Sequence, residues 1–339
     1  MRFLVAGAGA IGAYVGARLA RSGEDVTLFA RGAHLAAMRD HGVRVVFEHA
    51  AHAEGEKPEA PEEDFVVHPR VIGNLAEAGE LDVIILGVKA HGLTGLAPSI
   101  TPLIGPNTTV LSTQNGIPWW YFQADTGEFA NLHLESVDPG GVIGNAIPYK
   151  HVAGSLVYFA TDLAEPGVVR HIEGNRITLG EPDGTRSDRI KAIAEALIKS
   201  GLRAPVTTRL RGEIFVKLLG NAAFNPLSAL TRATLVRMAR DPDLRALVVK
   251  IMTEVETIGT RLGIKLPISI DQRIAGAEAV GEHKTSMLQD VELGRPIELE
   301  CIAGALVELG RKLAIPTPHL DTIYASTKLL GVVAAETRK

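Results

Sequence analysis

Gly7, Gly9 and Gly12 stand in the spacing G-x-G-x-x-G inside FLVAGAGAIGAYVGARLA. An apolar run precedes them and a helical pattern follows, the setting in which such glycines receive a dinucleotide pyrophosphate. The first permits a tight turn, the second lets backbone approach the phosphates, and the third lets helix and strand pack closely. The helix start then offers the N–H groups of Ala10, Ile11 and Gly12, with a partial positive charge, to the anion. The next strand end reads Phe29-Ala30-Arg31. A carboxylate there would bond the ribose hydroxyls of NAD, whereas a guanidinium fork suits the 2′-phosphate of NADP, so Arg31 points to NADPH. Two further strand ends carry Lys89, after ILGV, and Gln114-Asn115-Gly116, after VLST. Open α/β sheets bind ligands beyond such ends. Asn115 can both donate and accept there, although Asn-Gly is also a favoured turn pair. In EIFVKLLGNAAFNPLSAL, Lys217, Asn221 and Asn225 recur every four residues and so share one face of a helix. Such a stripe is either a solvated face or a set of polar groups held for a ligand, since buried polar groups must find partners.

The elements that would position these groups follow from the periodicity. Residues 2–6, 25–30, 81–88 and 108–113 read as buried strands, and 10–22 as a helix ended by Gly23. Short apolar runs alternating with helical patterns imply a parallel sheet covered by helices. Residues 140–184 are punctuated by glycine and β-like throughout, which predicts strands antiparallel to their neighbours, followed by a helix over 186–200 and an extended piece at 204–207. Beyond residue 208 the pattern is helical, over 211–224, 242–262, 269–281, 296–313 and 320–330. Pro226 should end or kink the first of these at Asn225. Residues 48–63, rich in Ala, Glu, His and Pro, read as an exposed excursion. The expectation is an α/β chain with two domains, a doubly wound sheet over 1–208 that binds the cofactor and an all-helical substrate and catalytic domain over 209–339.

Composition narrows the function. The 339 residues carry 35 Lys and Arg against 39 Asp and Glu, a formal charge of −4, which offers no basic surface for nucleic acid. Met1-Arg2 and the uncharged run behind it resemble a secretory leader, but Gly7, Gly9, Gly12 and Gly16 interrupt it, and no stretch is long and apolar enough to span a membrane. Cys301, the one cysteine, cannot form an internal disulfide, so the expected location is cytoplasmic. His41, His49, His52 and His68 lack metal-ligand spacing, and no metal is expected.

Taken together, GAGAIG, Arg31, VKA at 88–90, TQNG at 113–116, K-x-x-x-N-x-x-x-N-P at 217–226, SMLQD at 286–290 and RPIELE at 295–300 resemble the landmarks of the ketopantoate reductase (2-dehydropantoate 2-reductase) family. The resemblance spans most of the chain and implies a Rossmann domain joined to a helical domain. It also implies that Lys217 is the catalytic lysine and Glu298 its partner carboxylate. Asn115, Asn221, Asn225 and Ser286 would position substrate or nicotinamide, and Lys89 would stand on the cofactor side of the cleft. The chemistry is coherent by itself: hydride delivery to a ketone leaves charge on oxygen, which an ammonium can stabilise and protonate.

The implied reaction is NADPH-dependent reduction of 2-dehydropantoate to (R)-pantoate. The alternatives are a paralogue acting on another branched 2-oxo acid and, in a different class, an NADPH-sensing protein without turnover. Three features depart from the family pattern, one being that the stretch after Asn225, LSALTRATLV, offers few polar side chains. Residues 48–63 read as an insertion, and His283 stands three residues before Ser286 where a small polar amide is expected. The partner is a small-molecule 2-oxo acid rather than nucleic acid or membrane. Oligomeric state stays open, with a homodimer as one option.

Overall fold

The computed structural model describes residues 1–48, 62–123 and 125–336, so most of the proposed 48–63 insertion lies outside the described residues. The chain forms two compact units. One holds residues 1–114 and 142–210, the other residues 115–141 and 211–339.

The first unit is built on strands β1 (Arg2–Ala6), β2 (Asp25–Phe29), β3 (Val43–Phe47), β4 (Phe65–Val67), β5 (Arg70–Ile72), β6 (Val83–Leu86), β7 (Thr109–Ser112), β8 (Val152–Glu165) and β9 (Val168–Gly180). Its helices are α1 (Ala10–Arg21), α2 (Gly32–His41), α3 (Ala90–Ile100), α4 (Val142–Ala146) and α5 (Asp188–Lys199). The run β5-β2-β1-β6-β7-β8 is parallel throughout and follows the Rossmann strand order. Strands β1, β2, β6 and β7 are buried almost end to end, as a sheet covered on both faces requires. The expected antiparallel pairing holds only between β8 and β9, which turn at Pro166-Gly167; against expectation, β8 joins β7 in parallel and β9 joins β3 in parallel.

Short alternating segments hid three strands from the sequence reading. β9 pairs in parallel with β3, and β3 pairs antiparallel with β4. β4 and β5 end opposite margins of the nine-stranded order, yet only His68 and Pro69 separate them. The sheet must therefore curl round, and α1 packs against β1, β2, β3, β4, β8 and β9. Eight of its twelve residues are buried, among them Arg18, whose guanidinium bonds the Tyr14 hydroxyl and the Glu62 carboxylate. The leader-like start of the chain is thus a core strand and a core helix.

The second unit carries α6 (Leu210–Thr231), α7 (Leu235–Arg240), α8 (Pro242–Arg261), α9 (Ile270–Ala279), α10 (Ser286–Glu292), α11 (Ala305–Lys312) and α12 (Pro318–Glu336). Residues 115–141 join it as a turn-rich segment rather than as a strand. The Glu308 carboxylate on α11 fastens that segment by accepting from the Glu135 and Ser136 amides and the Ser136 hydroxyl at 2.7–3.0 Å. Burial alone would raise the Glu308 carboxyl, but these donors outweigh it and hold its pKa below the ordinary value. No helix among the described residues is long and apolar enough to cross a membrane.

Three expectations need correction. Residues 140–150 are helical turns instead of strand: Gly140 and Gly141 take φ of 65° and 71°, and α4 follows directly. Valine and isoleucine there gave a β signal that paired glycines in the left-handed region override. Helix α6 does not end at Asn225 but continues through Pro226 to Thr231. A proline inside a helix costs about 3 kcal/mol, and burial of residues 222–229 outweighs it. The helix expected over 296–313 starts at Glu300 with a π turn, Glu300–Gly304, and Glu298 lies just before it.

Candidate functional site

Each of the three N-terminal glycines has a different structural reason. Gly7 has φ of +108°, and a side chain there would strike Val88. At Gly12 an added Cβ would run into the Gly7 carbonyl, which explains the close approach of α1 to the strand end. Gly9 is unlike both. Its φ of −70° suits any residue, and an added Cβ would meet nothing closer than Gly87 O at 3.8 Å. The fold itself leaves room at Gly9, as a site kept for a ligand's phosphates would. Gly9 also precedes α1 with no side-chain cap on the helix N-terminus, where Ala10 and Ile11 begin the first turn.

Neighbouring side chains brace this crevice. His34 on α2 accepts the Gly167 amide at Nδ1, so Nε2 carries the proton and donates to the Ala8 carbonyl at 2.7 Å. Thr113 Oγ1 and Gln114 Nε2 donate to Leu86 O, and Gln114 Nε2 also donates to Val88 O at 2.9 Å, holding the β6 and β7 ends together. Arg31 is exposed at the N-cap of α2, two residues beyond β2, with its guanidinium 5.3 Å from the Phe29 ring centroid. Lys89 is the half-buried N-cap of α3. His34 was missed in the sequence, and Gln114 was noted only for its place at a strand end, because their roles are long-range hydrogen bonds that no local spacing records.

His34 also carries a pH signature. Burial lowers its pKa below the usual histidine value, against the raising effect of its bond to Ala8. The unfolded chain therefore binds the extra proton first, and stability falls as pH drops through about 6.5 toward the lower folded value. Thermal melts from pH 8 to 5 should show this loss in the wild type and a smaller one in His34→Asn. Parallel curves would contradict it.

In the helical unit, α6 carries the polar stripe. Lys217 and Asn221 are half-buried and Asn225 is 6% exposed, so the stripe is not a solvated face. Phe215, Leu218, Leu219 and Ala222 around it are buried. The helix interior also contains Gly220, at a cost of about 1 kcal/mol relative to alanine. A Cβ at that position would lie 2.5 Å from both Cζ and Nε of Arg273, so the Arg273 guanidinium of α9 rests directly on the α6 backbone. Arg273 is another functional candidate absent from the sequence reading; its one signal was a glycine in mid-helix.

Asn115 and Glu298, remote in sequence, come together within the same unit. Asn115 Nδ2 donates to Glu298 Oε2 at 3.3 Å. A π turn just after Glu298 holds the segment that carries Asn115. Ala305 N–H, which an α-helix would give to Cys301, bonds Glu300 O instead. The Cys301 carbonyl accepts from the Ile117 amide at 2.8 Å. Gly116, with φ of +81°, lies so close that any side chain would enter the Cys301 backbone. Cys301 itself is buried, and burial followed by the nearby Glu298 charge raises its pKa well above the thiol norm. It is a core residue, as expected. Ser286 sits exposed in the first turn of α10, whose N-cap Thr285 accepts from Leu288 N–H. Trp119, Trp120 and Tyr121 are buried packing residues. Among the described residues no group of His, Cys, Asp and Glu could hold a metal.

A Rossmann-ordered sheet with a glycine loop shaped for phosphate, in one chain with a helical unit carrying lysine, asparagine and carboxylate groups, defines a pyridine-nucleotide oxidoreductase. Models of the ketopantoate reductase PanE/ApbA family and of its C-terminal part match residues 3–184 and 209–330. The chain belongs to that family and is an oxidoreductase of the 2-dehydropantoate 2-reductase type. It is 45% identical to 2-dehydropantoate 2-reductase of Mesorhizobium japonicum over 98% of both chains. A putative ketopantoate reductase from Ralstonia solanacearum MolK2 superposes with a TM-score of 0.89 at 37% identity, covering 98% of each chain. D-mandelate dehydrogenase, solved with NADH and anilino(oxo)acetate, shares the fold with a TM-score of 0.81 at 22% identity, over 98% of this chain and 99% of that one.

Proposed function

We propose that the chain reduces 2-dehydropantoate to (R)-pantoate with NADPH in the cytoplasm, and that residues 1–208 serve the cofactor and 209–339 the substrate. Bound NADPH supplies the hydride, and the protein supplies position and field. Gly7, Gly9, Ala10, Ile11 and Gly12 receive the pyrophosphate, and Arg31 receives the 2′-phosphate. Lys89 faces the cofactor. Lys217 acts as the general acid: as hydride adds to the carbonyl carbon, the C=O π electrons move to oxygen, which takes a proton from the ammonium. Glu298 orients that ammonium. Asn115 orients the nicotinamide or the substrate, while Asn221, Asn225 and Ser286 offer neutral donors to the oxo acid. The observation that carries this reading is the bond between Asn115 and Glu298 in a unit whose α6 presents the Lys217 stripe.

A panel of 2-oxo acids assayed with NADPH and with NADH tests the proposal. The expected result is the highest kcat/KM for 2-dehydropantoate with NADPH. Arg31→Ala should weaken NADPH by about 10-fold, the loss of one charge-assisted contact, and leave NADH unaffected. Equal loss for both cofactors would remove Arg31 from the phosphate site. The half-buried His283 beside α10 favours one second reading, a different branched 2-oxo acid. Inactivity on 2-dehydropantoate with turnover of another panel member would select it. NADPH binding without any turnover would select the sensing protein.

A further inference from the structure

The seat of Arg273 on Gly220 has no counterpart in the roles assigned so far. Gly220 follows Lys217 by three residues and immediately precedes Asn221. Its φ is not in the left-handed region, so its backbone conformation would accept any residue. What excludes a side chain is the guanidinium, whose Cζ and Nε would both lie 2.5 Å from the added Cβ. Helix neighbours three apart hold their Cβ atoms about 5–6 Å from each other, which puts the Arg273 guanidinium within about 8 Å of the Lys217 Cβ. Arg273 itself is only partly exposed, and the start of α9 beneath it is fixed by a reciprocal cap between Ser269 and Gln272.

Two cationic side chains are therefore set on adjoining turns of one partly buried surface. A guanidinium seated about one helical turn from the lysine is placed to reach an anionic group next to the one that lysine serves. A 2-oxo acid has the matching form, with an anionic carboxylate one bond from the ketone. The planar guanidinium fork suits a carboxylate, whereas an ammonium serves a single oxygen.

We propose that Arg273, seated on Gly220, binds the substrate carboxylate and makes the site selective for 2-oxo acids over neutral ketones. This rests on Lys217 being the group that meets the ketone. Ser286 and the asparagines then orient the acid, and Arg273 selects its charge.

The test compares wild type, Arg273→Met, Arg273→Lys and Gly220→Ala with 3-methyl-2-oxobutanoate and its methyl ester, and measures oxamate binding to the NADPH-loaded protein by calorimetry. Arg273→Met should raise KM for the acid and weaken oxamate by about 10-fold or more, as loss of a charge-assisted contact requires. Its KM for the ester and its NADPH affinity should stay within about twofold, inside the scatter of a neutral change. Arg273→Lys should fall between Met and wild type, because charge is kept and the fork is lost. Gly220→Ala, which dislodges the guanidinium without removing it, should resemble Arg273→Met. Equal losses for acid and ester, or unchanged oxamate affinity, would overturn the proposal. Arg273-dependent oxamate binding in a protein that turns over no oxo acid would keep the carboxylate site and reject the reductase reading instead.

Discussion

Lys217→Ala is expected to lower kcat on the oxo acid by about 10²–10⁴-fold, the usual contribution of a positioned general acid, with NADPH affinity preserved. The glycine loop, Arg31 and Lys89 belong to the sheet unit and Lys217 to α6 of the helical unit, so the substitution removes the proposed proton donor and leaves those residues unchanged. Stability should change little by comparison, because Lys217 is half-buried and its apolar neighbours Phe215, Leu218 and Leu219 remain to pack the helix. Stopped-flow measurement of hydride transfer, alongside fluorescence titration of NADPH, separates the two quantities. A kcat within threefold of wild type, about 0.7 kcal/mol of barrier, would exclude Lys217 as the acid. A parallel loss of cofactor binding would point to a folding defect.

Gly116→Ala should be the most damaging small substitution in the helical unit. Left-handed backbone costs a residue with a Cβ roughly 1–2 kcal/mol. The added methyl would also enter the Cys301 backbone, and overpacking of this kind costs about 1–3 kcal/mol more. The chain can relieve both only by moving the segment that carries Asn115 away from Glu298. Misplacement by about 1 Å is enough for a 10²-fold loss of rate. The expected result is a lower Tm, faster hydrogen exchange at the Ile117 amide and a kcat loss of that order. Gly95→Ala is the control, since nothing lies within 4 Å of the Cβ it would add. Wild-type exchange at Ile117 in Gly116→Ala would show that the π turn does not hold this segment.

The sheet core was legible because β1, β2, β6 and β7 are buried on both faces and read as continuous apolar runs between turn residues. β3, β4 and β5 were not, because they are three to five residues long and incompletely buried, and their pairing depends on strands far along the chain. The Lys217 stripe was visible as a four-residue repeat. Its partial burial was not, since periodicity cannot tell a solvated face from a lined one. Pro226 illustrates the limit of a local rule: its conformational cost is real, and a buried surface on both sides of it exceeds that cost. The π turn was invisible for a related reason. A one-residue shift in hydrogen bonding leaves no mark in composition, yet it leaves the Cys301 carbonyl to the Ile117 amide, two residues from Asn115. Glu298 itself came from family resemblance, and Arg273 came from neither route.

The pairing of β3 with β9 has a consequence for biosynthesis. Arg44 aligns with Val168 and Phe47 with His171, so an early strand receives its partner only after most of the sheet unit has been made. A nascent chain that stops before β9 exposes the apolar edge of Val43, Val45 and Phe47 with only β4 beside it. Pairings this distant are slow to close and open to association while they wait. Ribosome-released fragments ending near residue 150 should therefore require a chaperone, although they contain the whole glycine loop.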